Sequence, residues 1–209
     1  MDSKEYFLKR PSDILLSGGG LIVSSPLWLV IAILIWLEDR GAVFYSSKRV
    51  GKGGRLFNNL KFRTMISDSD KKFGPLQARE NDKRITKIGK ILRVTAMDEL
   101  PQLWNIFRGD MSFVGPRALL PVEIETGEGG STEPIPISDI PGYKKRITVT
   151  PGLTGIAQIF APRDIVRKNK FVYDLLYIKK QSFKLDIKLI LLSFWITFRG
   201  KWETRGKKF

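Results

Sequence analysis

From Ile14 to Leu37 the chain reads ILLSGGGLIVSSPLWLVIAILIWL, 24 consecutive residues without a formal charge. A helix rises about 1.5 Å per residue, so this run reaches roughly 36 Å, more than the roughly 30 Å of a bilayer's hydrocarbon layer. It is too long for the apolar core of a signal peptide, and no small-residue cleavage site follows it. A buried core helix is the competing reading, disfavoured at this length. The sequence therefore predicts a membrane segment.

Whether the segment crosses is a separate question. Ser24-Ser25-Pro26 falls at its midpoint. Proline there removes one backbone hydrogen bond and collides with the preceding turn, and serine hydroxyls can take the freed carbonyls and sharpen the bend. Cations flank both sides: Lys4, Lys9 and Arg10 before the run, then Arg40, Lys48, Arg49, Lys52 and Arg55 after it. A spanning helix would put one cluster outside, against the positive-inside tendency. A re-entrant hairpin bent at Ser25-Pro26 keeps both clusters in the cytoplasm and is the preferred reading over a kinked spanning helix.

Charge narrows the partners. With 36 basic and 21 acidic residues the formal charge is +15, which calls for an anionic partner: nucleic acid, a phosphorylated small molecule or an anionic membrane surface. There is no cysteine, hence no disulfide framework and no thiolate metal site. There is no histidine either, which removes the usual general base near neutral pH and the commonest transition-metal ligand. Any enzymatic chemistry must come from carboxylates, hydroxyls, lysines and arginines, and any metal is expected to be a hard cation such as Mg²⁺.

The remainder reads as a single soluble unit. Residues 43–50 (VFYSSKRV) and 55–62 (RLFNNLKF) flank Gly51-Lys52-Gly53-Gly54 and form an expected β-hairpin whose second strand delivers Lys61 and Arg63. No GxxxxGK[ST] pattern occurs there, so the glycines read as turn chemistry. Residues 83–94 are expected to be helical, with Ile85, Ile88, Ile91 and Leu92 on one side, ending near Arg93. Residues 125–142 (ETGEGGSTEPIPISDIPG) read as a mobile loop, and 150–158 (TPGLTGIAQ) as a close-packed turn segment leading to Arg163. Ile187, Ile190, Leu191, Phe194, Trp195 and Phe198 recur at helical spacing, as a core helix or an interfacial helix would show them.

Asp98 and Glu99 stand side by side in AMDELPQLWNIFRGDMSFVGPRA, residues 96–118. Asp98 is placed as the N-cap of a helix running to about Phe107, with Pro101 tolerated in its first turn and Gly109 as its stop. A cap needs no chemistry. The same position suits phosphate chemistry, because a helix N-terminus holds anions and keeps a carboxylate ionised. Spacing alone leaves both readings open.

At this point the chain resembles a known family. KFRTM, then TAMDELPQLWNIFRGDMSFVGPRA, then YKKRITVTPGLTGIAQ, then YDLLYIKKQSFKLDIKLI are similar, in that order, to the bacterial sugar transferases, the monotopic phosphoglycosyl transferases, and to their small single-domain members. The resemblance runs from about Lys9 to Phe198. It implies transfer of a sugar phosphate from a UDP-sugar to undecaprenyl phosphate, at the cytoplasmic face of the bacterial inner membrane, as the first membrane step of glycoconjugate synthesis. It implies a re-entrant helix broken at a Ser-Pro pair, here Ser25-Pro26. It places the catalytic pair on Asp98 and Glu99, Mg²⁺ at Asp98, and substrate-binding groups on Lys61, Arg63, Arg93, Arg117 and Gln158. Two departures from the family pattern stand out: Ala118 where a second proline usually follows Gly-Pro-Arg, and Ala161-Pro162-Arg163 where Gly-Arg is usual.

The expected architecture is α+β and mainly helical. Residues 1–38 would form the re-entrant membrane helix, and residues 39–209 a catalytic domain with a small β-hairpin and interfacial amphipathic helices. Attack on a diphosphate faces several negative charges, so Mg²⁺, lysine and arginine would do most of the work. Asp98 would act as a carboxylate nucleophile, forming an aspartyl-phosphosugar and releasing UMP, and Glu99 would serve the acceptor. Two alternatives belong to other classes: a membrane-tethered binding protein for nucleic acid or acidic lipid, and a metal-dependent UDP-sugar hydrolase. Acids interleaved at the dyad and the lack of a nucleic-acid motif argue against a nucleic-acid partner.

Overall fold

The computed structural model of the chain describes residues 5–67, 82–122, 135–162 and 165–199, and the backbone of 124–125. Its longest element, α1 (Lys9–Asp39), is one unbroken helix of 31 residues with Pro26 inside it. Proline has no N–H for the Ile22 carbonyl. The Ser25 hydroxyl donates to that carbonyl at 2.8 Å, and the Ser24 hydroxyl donates to Gly20 O at 2.6 Å. The orphaned acceptor is thus satisfied, and the helix continues past the proline.

One stripe of α1 faces the protein. Lys9, Asp13, Ser17, Ile31 and Ile35 are buried, and the partly buried Leu21 and Trp28 continue the stripe between them. On the other side Leu15, Ile22, Val23, Leu29, Val30 and Leu37 are exposed. By length and composition α1 is apolar enough to cross a membrane.

The start of α1 is anchored by polar groups. Lys9 Nζ donates to Asp186 Oδ2 at 2.7 Å, Tyr177 Oη at 2.9 Å and Val114 O at 2.8 Å, all buried. Arg10 donates to the carbonyls of Ile106 and Phe107, each at 2.6 Å. These two flanking cations are structural ties. The far end is held too: Glu38 accepts from the backbone N–H groups of Lys87 and Ile88, and Asp39 pairs with Arg63.

The expected hairpin is present. β1 (Phe44–Val50) and β2 (Leu56–Phe62) pair antiparallel from Phe44↔Phe62 to Val50↔Leu56. Phe44, Phe62 and Trp28 of α1 form an aromatic cluster with ring centroids 5.4–6.1 Å apart. By strand alternation the opposite face carries Tyr45, Ser47 and Arg49 across from Lys61, Asn59 and Phe57.

The helix expected over 83–94 begins later. α2 spans Lys87–Val94, capped by Thr86, whose hydroxyl accepts from Gly89 N at 2.9 Å. Ile85 lies before it and bridges to Met65, and Ile91 is exposed. Next come α3 (Gln102–Arg108), which Gly109 ends at φ 93, and β3 (Ser112–Val114). Farther on, β4 (Ile124–Glu125) pairs with β5 (Ile135–Pro136). The expected mobile loop is therefore not a loop throughout: Ile137 and Ile140 are buried against Leu119 and Phe171. Residues 126–134 of that stretch lie outside the described residues.

Then follow α4 (Tyr143–Arg146), β6 (Gly152–Thr154), α5 (Ile156–Phe160), α6 (Arg167–Lys180) and α7 (Phe183–Phe198). β3 and β6 pair in parallel, through backbones so close that a Cβ on Gly152 would lie 2.0 Å from Gly115 N. α7 turns Leu189, with Leu185, Leu192 and Ile196, toward a core of Val114, Val149, Ile159, Tyr177 and Ile178. Its other side exposes Leu191, Phe194, Trp195 and Phe198. Of the sequence stripe, only Ile190 packs against that core. The described residues are mainly helical with three two-stranded sheets, in agreement with the expected α+β class.

Candidate active site

Asp98 does not cap a helix. It lies in a 3₁₀ turn, Met97–Glu99, and α3 starts only at Gln102 with no side-chain cap. The chain enters the turn through Ala96 at φ 55, a left-handed conformation that costs a non-glycine residue about 1–2 kcal/mol. Instead of reaching for a backbone N–H, the carboxylates turn to Lys61. Its Nζ lies 2.5 Å from Glu99 Oε1 and 3.6 Å from Asp98 Oδ2. Lys61 arrives there because it shares the hairpin face opposite the aromatic cluster.

The two acids are driven apart electrostatically. Burial pushes the Asp98 carboxyl above its ordinary range; Lys61 opposes this, and the adjacent Glu99 adds to it. Burial acts the same way on Glu99, but Lys61 and then Arg117 outweigh it and hold Glu99 below its ordinary range. Glu99 is the ionised partner of Lys61. Asp98 is the buried carboxyl whose charged form burial disfavours and nearby positive charge favours.

The other residues singled out in the sequence divide into two groups. Arg93 acts on Asp98 electrostatically and donates through Nε to Thr64 Oγ1 at 2.8 Å. Arg117 is exposed on the loop after β3 and acts on Glu99. β3 and that loop are braced by three backbone hydrogen bonds to the β6 strand region: Ser112 N to Pro151 O at 2.8 Å, Gly152 N to Pro116 O at 2.9 Å and Gly115 N to Thr154 O at 2.9 Å. Gln158 adds a bond from Nε2 to Gly115 O at 3.3 Å, so it meets the loop from behind. Arg146 donates to the Arg117 carbonyl, and the buried Ala118 leaves the loop well supported without a second proline. Arg63 goes elsewhere: it pairs with Asp39 and donates to Ser67 Oγ at 2.7 Å, fastening the end of α1. Ser25 and Pro26 lie within α1, and Arg163 lies outside the described residues.

Sequence reasoning missed Gln102 and Arg49, which lie near Glu99. Gln102 is buried, and its side chain adds to the groups that hold Glu99 below its ordinary range. Its position three residues after Glu99 on a helical turn was the available signal. Arg49 was legible from strand alternation, since it shares the Lys61 face.

Among the described residues no cluster of three or more acidic side chains forms a ready cage for a metal. Mg²⁺ does not need one, because it keeps several waters and binds through one or two carboxylates plus substrate phosphates. The donor set fits: Asp98 supplies one buried carboxylate oxygen beside a basic, phosphate-friendly surround.

Residues 4–200 match the family of bacterial sugar transferases. The chain belongs to that family. Among curated sugar transferases, the UDP-glucose:undecaprenyl-phosphate glucose-1-phosphate transferase of Klebsiella pneumoniae is 41% identical over 199 residues, covering 92% of this chain and 40% of that protein. The UDP-N-acetylgalactosamine-undecaprenyl-phosphate N-acetylgalactosaminephosphotransferase of Aeromonas hydrophila is 37% identical, covering 88% of this chain and 42% of that protein. The chain thus spans about two fifths of the length of these two relatives. It covers 81% of the exopolysaccharide production protein ExoY of Rhizobium meliloti, with 33% identity.

Proposed function

We propose that this bacterial sugar transferase moves a sugar-1-phosphate from a UDP-sugar to undecaprenyl phosphate through a covalent intermediate on Asp98. The observation that carries the reading is the buried Asp98 set against the Lys61–Glu99 ion pair, with Arg93 and Arg117 acting on the same two acids. The names of the relatives supply the donor and acceptor classes.

Asp98 attacks the sugar-bearing phosphorus. The new bond is carboxylate oxygen to phosphorus, and the bond to the bridging oxygen breaks, so UMP leaves with that electron pair. Lys61, Arg93 and Arg117 hold the phosphate oxygens and offset the charge that would repel a carboxylate. Mg²⁺ held by Asp98 and the diphosphate would supply the remaining charge neutralisation and keep Asp98 ionised. In the second half, a phosphate oxygen of the acceptor attacks the same phosphorus and the Asp98 carboxylate leaves. Glu99, ionised beside Lys61, orients the acceptor phosphate and takes any proton it still carries.

The acceptor is lipid-borne, and the shape of α1 suits that. A spanning helix carries one end to the far side of a layer roughly 30 Å thick. Here Lys9 at one end and Glu38 and Asp39 at the other are all bonded to the same body. This supports a helix with both ends kept on one side of the membrane, and the exposed stripes of α1 and α7 toward lipid.

The test is a burst experiment. Wild-type protein with UDP-sugar and Mg²⁺, without acceptor, should release up to about one equivalent of UMP and gain the mass of one phosphosugar, as expected for a covalent intermediate. Adding polyprenyl phosphate should discharge it. Asp98→Asn should lose both signals, while Glu99→Gln should keep the adduct and slow turnover. An adduct on Glu99 would reverse the assignment, and free sugar phosphate without acceptor would mark a hydrolase.

A further inference from the structure

Lys9 and Lys61 both meet buried carboxylates, yet they are held differently. The Lys9 side chain is 4% exposed, and its ammonium donates to Asp186, Tyr177 and the Val114 carbonyl, so it is fixed on three sides. The Lys61 side chain is 23% exposed, and among the described residues its ammonium meets only the two acids of the dyad. Pairing with Tyr45 in the hairpin fixes its backbone, but a flexible four-carbon stem separates the charge from that anchor. Lys61 is a counter-ion on a long tether.

Its two contacts are unequal. Nζ is within hydrogen-bond reach of Glu99 Oε1 at 2.5 Å, whereas the 3.6 Å to Asp98 Oδ2 is attraction without a hydrogen bond. One positive charge therefore serves two adjacent carboxylates, and Asp98 is the less compensated of the pair. A divalent cation on Asp98 Oδ2, at the roughly 2.1 Å of a Mg–oxygen bond, would lie no more than about 6 Å from the ammonium. Like charges that close in a part-buried site repel. The ammonium is the one with somewhere to go, because a diphosphate is a strong acceptor for it.

We propose that Lys61 is an exchangeable counter-ion of the dyad: its ammonium and a divalent cation compete for Asp98 and Glu99, and the diphosphate of the nucleotide sugar receives the ammonium as the cation takes Asp98. The diphosphate end of this exchange rests on the transfer reading above; the competition at the dyad does not. Cation and donor then favour each other's binding beyond any direct contact between them. Once UMP has left, Glu99 is there to take the ammonium back. A lysine that only held the acids in place would instead help the cation to bind.

The probes are Mn²⁺, whose bound fraction is read by electron paramagnetic resonance, and UDP, titrated by calorimetry in Mg²⁺, both on the full chain in detergent. Lys61→Met should tighten Mn²⁺ on the order of tenfold and weaken UDP on the order of tenfold. Lys61→Arg keeps the charge and should leave Mn²⁺ as weak as in the wild type. Opposite shifts in one variant are the signature, since losing a tie that organises the acids would weaken both ligands. Weaker or unchanged Mn²⁺ in folded Lys61→Met overturns the competition. Tighter Mn²⁺ with unchanged UDP overturns the passage of the ammonium to the diphosphate. Thermal melts identify a variant that fails to fold, in which case Lys61→Gln carries the same test. The expected shifts, together with a wild type that moves no sugar to lipid, would refute the transfer reading alone.

Discussion

Gly152→Ala would place a methyl carbon 2.0 Å from Gly115 N, 2.6 Å from Gly115 Cα and 2.6 Å from Thr154 O. Ordinary contact begins near 3.4 Å, so one backbone must retreat by 3.4 − 2.0 = 1.4 Å. All three atoms belong to the main chain, and no side chain can rotate away to make room. The displacement runs across the three backbone bonds that brace β3 and the Arg117 loop. At about 1 kcal/mol net for each hydrogen bond, their loss costs about 3 kcal/mol, and overpacking alone costs about 1–3 kcal/mol. For a chain of this size the two together lower Tm by roughly 8–24 °C. Arg117 follows Gly115 by two residues, and a 1 Å misplacement of a positioning group costs about a hundredfold in rate. The assays are a circular-dichroism melt in detergent and transfer of labelled sugar phosphate to polyprenyl phosphate. Wild-type Tm and turnover together would refute the close-packed β3–β6 account. A lowered Tm with full activity in the folded fraction would show that the strand pair stabilises the protein without positioning Arg117.

Ala96→Gly should raise stability by up to about 1 kcal/mol, because glycine adopts the left-handed turn without strain; an unchanged or lower Tm would contradict the turn geometry. Lys9→Met should cost about 3–5 kcal/mol by stranding buried Asp186, whereas Lys9→Met combined with Asp186→Leu should recover much of it in a melt; equal losses would mean the pair is not coupled. Arg10→Ala should cost about 1–2 kcal/mol by uncapping the last carbonyls of α3, read by the same melt. EDTA should abolish UMP release, and Mg²⁺ should restore it, with the Tm of the free protein unmoved; full activity in EDTA would remove the metal from the reading. Cysteines at Phe7 and Lys48 should both be shielded from an impermeant thiol reagent in intact cells, and labelling of Phe7→Cys alone would make α1 a spanning helix.

What the sequence disclosed follows the range of the forces involved. The hairpin, the apolar helix and the Gly109 stop are written in local alternation, length and a residue type that tolerates φ 93. Asp98 misled because a carboxylate ahead of Leu100-Pro101 looks like a cap, and its real partner, Lys61, is fixed by strand register. The ties of Lys9 and Arg10 were hidden for the same reason: Asp186 and the carbonyls of α3 meet them only in three dimensions. Ile137 and Ile140 were hidden by the polar, proline-rich company they keep. Ile85 shares the apolar spacing of α2, yet Thr86 caps the helix one residue later and assigns Ile85 to an extended bridge.

The tie between Lys9 and Asp186 joins groups 177 positions apart. A ribosome adding roughly 5–20 residues per second completes that stretch roughly 10–35 s after Lys9 is made. During that interval the partners of the Lys9 ammonium are made one after another: the Val114 carbonyl first, then Tyr177, and the Asp186 carboxylate last. The polar anchor at the start of α1 is therefore completed only once α7, the last of the described helices, has been made. A nascent chain stalled before Asp186 would present a formed α1 whose first residue still lacks its carboxylate.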